Sequence, residues 1–374
     1  MLGLYHAPER LSSYSRFSKS LLCPHPLQAE DAYTDFLLDL GERLGEASPI
    51  FPIGDEYLRG TAREDLVADR FLFPFPAWAN LERIQSKRFQ LDRARELGVP
   101  TPRTSDAPTD EFGFPVIVKP SDPIGFRRSF QLKVFRCQSM QELEAAFERS
   151  RQFAPLVQEW IPGETSDLYF VGTYLTREGH PLGLFCGRKL RQIESTPGVG
   201  TTRMAESAWV DEVVEQSLVL LRGLDCYGLA DVEFKRDPRD GRFKLMEVNP
   251  RLGQWHGFSA ECGVNLSRIA YQHLLGADVT PVRASGKSKR WSITFLTATG
   301  TETARRDETE SSPSRSWRTR LPAVPRLPYF DAVFALDDPM PGLWQGARLV
   351  GRVVRPRTRI ATVSRLVRRL SHRH

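Results

Sequence analysis

Apolar residues recur at helical spacing over residues 29–44 (AEDAYTDFLLDLGERL), where Phe36, Leu37, Leu40 and Leu44 share one face. A helix is predicted there, then a short strand over 50–53 ending at Gly54-Asp55, a loop position that carries ligands in parallel α/β sheets. Residues 86–97 (SKRFQLDRAREL) predict a second helix, because Ser86 is a good N-cap and Phe89, Leu91 and Ala94 follow at helical spacing. Gly98, Pro100 and Pro102 stop it. The apolar runs 115–119 (PVIVK) and 156–160 (LVQEW) predict strands flanking a helix over 139–149, and Pro162-Gly163 breaks the second run. Together they make one small lobe.

Further along, 168–175 and 182–190 predict strands joined by a turn at Glu178-Gly179, 196–202 (TPGVGTT) a glycine-bearing loop, and 209–221 a helix. Residues 228–235 (GLADVEFK) and 243–248 (FKLMEV) predict a hairpin across the turn 236–242, and a helix over 266–275 closes a second lobe. Beyond Gly276 the pattern weakens: 291–296 reads as a strand and 297–318, rich in Thr, Ser, Glu and Arg, as a mobile connection. Over 359–370, Ile360, Val363, Leu366, Val367 and Leu370 form one helical stripe among arginines. A solvated or docked surface helix is one reading, and peripheral contact with an acidic partner or anionic membrane is the other.

Length changes the picture by requiring more than one core: 374 residues fit two or three domains. No apolar run approaches the roughly 20 residues of a membrane span, so no transmembrane segment is expected. Residues 1–10 carry neither a basic leader nor an apolar core, so no secretory signal and a cytoplasmic location are expected. Cys23, Cys137, Cys186, Cys226 and Cys262 are scattered without a CxxC pair, against both a disulfide framework and a zinc site. The net charge of +6 hints at nucleic acid until it is located. Residues 339–374 hold nine arginines and no acid, and without them the 52 basic residues fall to 43 against 46 acidic ones. The body is nearly neutral, so no nucleic-acid face is indicated.

The candidate chemistry centres on Glu247-Val248-Asn249-Pro250-Arg251 and on Asp231-Val232-Glu233 across the hairpin. Strand alternation points Glu247 and Asn249 the same way, with Glu233 or Asp231 alongside. Such a cluster of hard oxygen donors, with room for phosphates, is what Mg²⁺ accepts in nucleotide enzymes. Arg251, one strand step beyond, is placed to neutralise a transferring phosphoryl group. An exposed hairpin with solvated acids is the plain alternative. Lys119 ends an apolar strand, Lys189 and Arg191 fall on one face of another by alternation, and His256 follows the acidic motif. Each also has an ordinary structural reading as surface charge or core histidine.

Over roughly residues 81–276 the sequence resembles the ATP-grasp superfamily, nearest its branch of carbamoyl-phosphate-synthase-like and D-aspartate-ligase-like proteins, on EFKRDPRDGRFKLMEVNPR above all. The resemblance implies a metal set of Glu233, Glu247 and Asn249, with Lys87 and Lys119 as the two phosphate-binding basic residues. It makes Gln158-Glu159-Trp160-Ile161-Pro162-Gly163 the hinge, with Glu159 near the adenine amine and Ile161 offering backbone groups. Glu164 and Asp167 compete for the ribose, and Lys189, Arg191 and the 196–202 loop belong to the substrate side. Two departures stand out. The stretch 121–128 (SDPIGFRR) has only Gly125 where the family has a glycine-rich flap, leaving Arg127 or Arg128 to substitute, and the chain begins partway through the usual first strand-helix-strand unit.

The expected architecture is mixed α/β and α+β: a shortened Rossmann-like pre-ATP-grasp domain over 1–80, an ATP-grasp domain over 81–280 with lobes about 112–162 and 163–280, and a basic extension over 281–374. The implied activity is ATP-dependent joining of a small carboxylate to an amine, thiol or ammonia through an acyl phosphate, with Mg²⁺ or Mn²⁺ and as a possible homodimer. A catalytically silent ATP-binding regulator, or a small-molecule kinase on the same fold, is the alternative.

Overall fold

The computed structural model describes residues 1–7, 11–62, 67–121, 123–196, 198–284, 289–293 and 329–354. Near the N-terminus β1 (Leu2–Tyr5) runs parallel to β2 (Lys19–Leu22). Helix α1 (Glu30–Leu44) follows and buries Tyr33, Leu37 and Leu40 with Cys23, Val67 and Phe71, and it stops where Gly45 adopts the left-handed conformation. The strand expected at 50–53 lies two residues earlier: β3 (Ser48–Pro49) pairs in parallel with β4 (Phe71–Leu72), since Pro52 has no N–H to extend the ladder. Between them α2 (Asp55–Ala62) carries Asp55 toward the rest of the molecule. Thus the N-terminal segment forms two separate parallel pairs rather than one sheet.

Helix α3 (Trp78–Gln85) leads directly into α4 (Lys87–Glu96), whose N-cap Ser86 accepts from Phe89 N at 3.4 Å. A four-stranded antiparallel sheet follows, in the order β5 (Thr104–Ser105), β8 (Pro155–Glu159), β6 (Val116–Pro120), β7 (Phe135–Cys137). Helix α6 (Met140–Ser150), capped by Ser139, packs Leu143 and Ala146 on Val116, Val118 and Val157.

The stretch expected to be a flap is instead helical, as α5 (Pro123–Phe130). Proline at the first helical position presets the backbone, and Phe126 and Phe130, one turn apart, cluster with Phe135 and Phe153 at centroid distances of 4.8–5.9 Å. Aromatic burial outweighs the freedom a loop would keep.

Among the described residues the larger sheet has eight strands. Seven run in the order β13 (Phe243–Asn249), β12 (Gly228–Arg236), β9 (Leu168–Leu175), β10 (Pro181–Thr196), β11 (Val199–Ser207), β15 (Arg290–Ser292), β16 (Tyr329–Asp331), and β14 (Val282–Arg283) pairs with β10. Residues 196–202 are therefore not the expected loop: β10 runs to Thr196, and Val199 already begins β11. Period-two alternation separates the faces. Val171, Leu175, Ala230, Val232 and Phe234 pack under α4 and α7 (Asp211–Gly223). Phe170, Tyr174, Phe185 and Leu229 pack under α8 (His256–Glu261) and α9 (Leu266–Leu274). The last described element is α10 (Pro339–Val354), whose Trp344 stacks on Tyr14 at 4.5 Å.

All five cysteines are buried and free, and burial pushes the Cys186 and Cys226 thiols up to about 12. Among the described residues no helix is long and apolar enough to cross a membrane. The expectations for 297–318 and 359–370 fall outside the described residues.

Candidate functional site

A cleft of about 620 Å³ opens between the four-stranded sheet and the hairpin β12–β13. Eight basic side chains line it against six acidic ones, a balance suited to a polyanion. Its floor follows from the hairpin register. Glu233 stands opposite Glu247 and Asp231 opposite Asn249, while Val232, Phe234, Leu245 and Val248 enter the core behind them. A register shift beyond Glu233, where Phe234 pairs with Leu245, leaves Met246 as an extra residue. This bulge lets Leu245 and Val248 share the core face although they are three residues apart. It also presents the Met246 carbonyl to Lys119 Nζ at 2.9 Å.

Two carboxylates directly opposite on adjacent strands repel unless cations join them. Here Lys189 Nζ lies 2.6 Å from Glu233 Oε2, and Lys87 Nζ 2.9 Å from Glu247 Oε2. Lys87 holds the Glu247 carboxyl well below the usual carboxylate range despite its burial, with Lys119 and Lys133 adding to the pull. For Lys119, burial and then the like charge of Lys87 bring the ammonium down to about 8. Asn249 Nδ2 donates to Glu247 Oε1 at 3.1 Å, turning the amide oxygen away from that carboxylate. Among the described residues no group of three or more His, Cys, Asp or Glu is gathered for a metal. Glu233, Glu247 and Asn249 therefore fit Mg²⁺ only in company with phosphate oxygens, the kind of site this hard, slowly dehydrating ion uses. Arg251 reaches the cleft from beyond Asn249 and pairs through Nε with Asp55 of α2.

At the hinge, Trp160 and Ile161 line the cleft. The Glu159 carboxylate is taken up by cations: it accepts from Arg103 N at 2.9 Å, Arg103 Nε at 3.2 Å and Arg239 Nη2 at 3.0 Å, with Lys244 Nζ at 3.5 Å. Gln158 is buried away from the cleft, its Nε2 near Thr104 Oγ1 at 3.4 Å. Glu164 and Asp167 both lie outside the cleft lining. Asp167 Oδ2 accepts from Glu164 N at 2.8 Å, so the acid closes its own turn. His256 is buried beneath Asp231, at 3.2 Å, and does not line the cleft.

Alternation fails between Lys189 and Arg191. Lys189 pairs with Ala205 and Arg191 with the adjacent Met204, so Leu190 is an extra residue and the strand bulges. Lys189 is buried in the cleft wall, Arg191 is exposed outside it, and Gln192 takes the inward place.

Three cleft cations, Arg59, Lys133 and Lys235, have no role assigned from the sequence. Lys235 donates to Ile161 O at 2.9 Å and Gly163 O at 3.3 Å, tying the hairpin to the hinge. Its position was legible, since 231, 233 and 235 share one strand face. Lys133 precedes β7, where no local pattern marks it.

No family model matches the sequence. It is 24% identical over 222 residues to the D-aspartate ligase of Enterococcus faecium strain Aus0004, spanning 54% of this chain and 52% of the relative. Over 208 residues it is 23% identical to the C-terminal section of the carbamoyl phosphate synthase large chain of Methanopyrus kandleri, spanning 50% of this chain and 36% of the relative. The chain thus spans about half, or less, of the length of these relatives. In three dimensions it matches the biotin carboxylase domain of the Hydrogenobacter thermophilus 2-oxoglutarate carboxylase, solved with MgADP and bicarbonate, at a TM-score of 0.57 and 18% identity over 74% of this chain and 64% of that one. The chain therefore has the ATP-grasp fold, with its sequence likeness toward D-aspartate ligase and carbamoyl phosphate synthase.

Proposed function

We propose that the protein is an ADP-forming ligase that activates a carboxylate with ATP as an acyl phosphate and joins it to an amine. One observation carries the reading: Glu233 and Glu247 face each other at the floor of a lysine-lined cleft, each held by a different ammonium. A solvated hairpin has no reason to bury opposed acids among Lys87, Lys119 and Lys189. Likeness to a D-aspartate ligase and to a carboxylase domain solved with MgADP supports the substrate classes.

In this reading the nucleotide lies along the cleft with its adenine toward Trp160 and Ile161 and its phosphates toward the hairpin. Lys87 and Lys119 bind and orient the phosphates as compact point charges. Glu233, Glu247 and Asn249 hold Mg²⁺, or Mn²⁺ in its place, which when bound supplies charge neutralisation across the phosphate oxygens. A carboxylate oxygen of the first substrate attacks the γ-phosphorus and ADP leaves. The amine nitrogen of the second attacks the acyl carbon, inorganic phosphate leaves, and the nitrogen loses its proton. Lys189 and Arg251 offset the negative charge of both transfers from the substrate side. No side chain need form a covalent intermediate, because positioning and electrostatics carry such transfers.

The test is ADP release from Mg-ATP against a panel of carboxylates and amines, with Glu247→Gln as control and products identified by mass. Turnover that needs both co-substrates and disappears in the variant supports the ligase. A phosphorylated acceptor without amide would make it a kinase, and tight ATP binding with no turnover under any pair would make it a binding protein.

A further inference from the structure

With α5 standing where a glycine-rich flap would run, the cover over the phosphates has to come from elsewhere. The tip of the β10–β11 hairpin reaches from the larger sheet to the smaller one and is pinned there by three contacts. Thr196 Oγ1 donates to Val134 O at 3.2 Å, and Lys133 Nζ donates to Gly200 O at 2.8 Å. Gly198 lies so close to Trp160 that a Cβ there would come within 2.4 Å of the indole Cη2. Its φ of 77° is one that glycine adopts without strain. The hairpin tip and the loop before β7 thus form one strap across the mouth of the cleft.

Of the strap's members only Lys133 carries charge into the cleft, which it lines. The Gly200 carbonyl uses one of its three N–H donors. The ammonium lies within electrostatic reach of Glu247 and Glu233 and beside the like charges of Lys189 and Arg127. It lines the same cleft as the two opposed acids, where the proposed function puts the transferring phosphate. With eight basic side chains against six acidic ones, the cleft keeps a surplus of positive charge that an anionic ligand offsets.

We propose that Lys133 binds the terminal phosphates of a nucleoside triphosphate from the small lobe and holds the β10–β11 tip over them, in the place of flap amides. The inference rests on the reading of this cleft as a nucleotide site. It assigns a phosphate contact to a residue outside the sequence motifs.

The experiment is calorimetric titration of the full chain, with Mg²⁺, by AMP-PNP and by AMP. Wild type is compared with Lys133→Met, Lys133→Gln and Lys133→Arg, each checked for an unchanged melting temperature. Loss of one charge-assisted contact should weaken AMP-PNP binding by roughly tenfold to a hundredfold in the Met and Gln variants. AMP binding should stay within about twofold, as for a site remote from the change, and Lys133→Arg should recover most of the loss. Equal weakening of AMP and AMP-PNP would reduce Lys133 to a structural strap and overturn the proposal, as would unchanged AMP-PNP binding. If wild type binds neither nucleotide, the nucleotide reading of the cleft itself fails and this inference goes with it.

Discussion

Lys189 and Arg191 are the sharpest pair at the scale of single residues, because strict alternation makes them equivalent and the bulge at Leu190 separates them. Lys189, held at 2.6 Å from Glu233, should behave as part of the site. We expect Lys189→Met to lower kcat/KM by about a hundredfold or more, the scale of one lost preorganised charge. Arg191→Ala should change it by less than about twofold, as for an exposed side chain. Steady-state ADP release measures both, and a large loss in Arg191→Ala would mean that the strand register shifts during turnover. What was legible here depended on period two. Glu233, Glu247, Asn249 and Lys235 sit on one face because alternation holds along β12, and because the bulge at Met246 shifts the partner strand without moving Glu247 off that face. Bulges are set by packing across the sheet and leave little local sequence signal, which is why Arg191 was misplaced and Gln192 overlooked.

Among the elements, the hinge depends on an ionic group at the β12–β13 turn. Asp237 is fully buried and accepts from Arg239 Nη2 and Lys244 Nζ, each at 2.6 Å, while Glu159 shares both cations. Its hydrogen bonds from Arg239, then those from Lys244, hold the Asp237 carboxyl far below the usual aspartate range in spite of burial. A carboxyl whose pKa is depressed on folding adds stability above its unfolded value, near 3.9, and loses it as the pH falls further toward the folded value. Asp237→Asn should therefore cost about 2 kcal/mol at neutral pH by removing the carboxylate that Arg239 and Lys244 share with Glu159. The gap to wild type in thermal melts should close below about pH 4 and stay flat between roughly pH 5 and 8. A gap that persists undiminished at the lowest pH would assign the loss to packing. Elements with their own caps and periodicity, such as the helix after Ser86 and the hairpin strands, were readable, whereas α5 was not. Its Phe126 and Phe130 spacing is helical, but Pro123 and Gly125 look like loop residues until the aromatic cluster they serve is known.

For the whole molecule, the two ends of the described chain meet outside the cleft lining. Trp344 of α10 stacks on Tyr14 at 4.5 Å, Arg16 N donates to Asp338 Oδ1 at 3.1 Å, and Gly342 packs on Phe334 so closely that a Cβ would come within 2.7 Å of its ring. The first two contacts join segments more than 300 residues apart, so no local pattern could announce them, and Pro339, Pro341 and Gly342 obscure the start of the helix. Proline is nonetheless compatible with a first helical turn, where the missing N–H is not needed. Neither Tyr14 nor Trp344 lines the cleft. Trp344→Ala should thus separate stability from chemistry. Truncating a large buried aromatic costs about 3 kcal/mol where it is well packed, and the loss should appear as faster amide exchange over residues 11–14 and 338–344. The helices beneath the larger sheet should keep their protection, and kcat/KM for ADP release should stay within about twofold of wild type. A fall in activity that tracks the exchange at 11–14 would instead make the clasp a determinant of the cleft. The connection would run through the second cavity, where Leu11 and Ser12 share the lining with Asp55, Arg127 and Arg251.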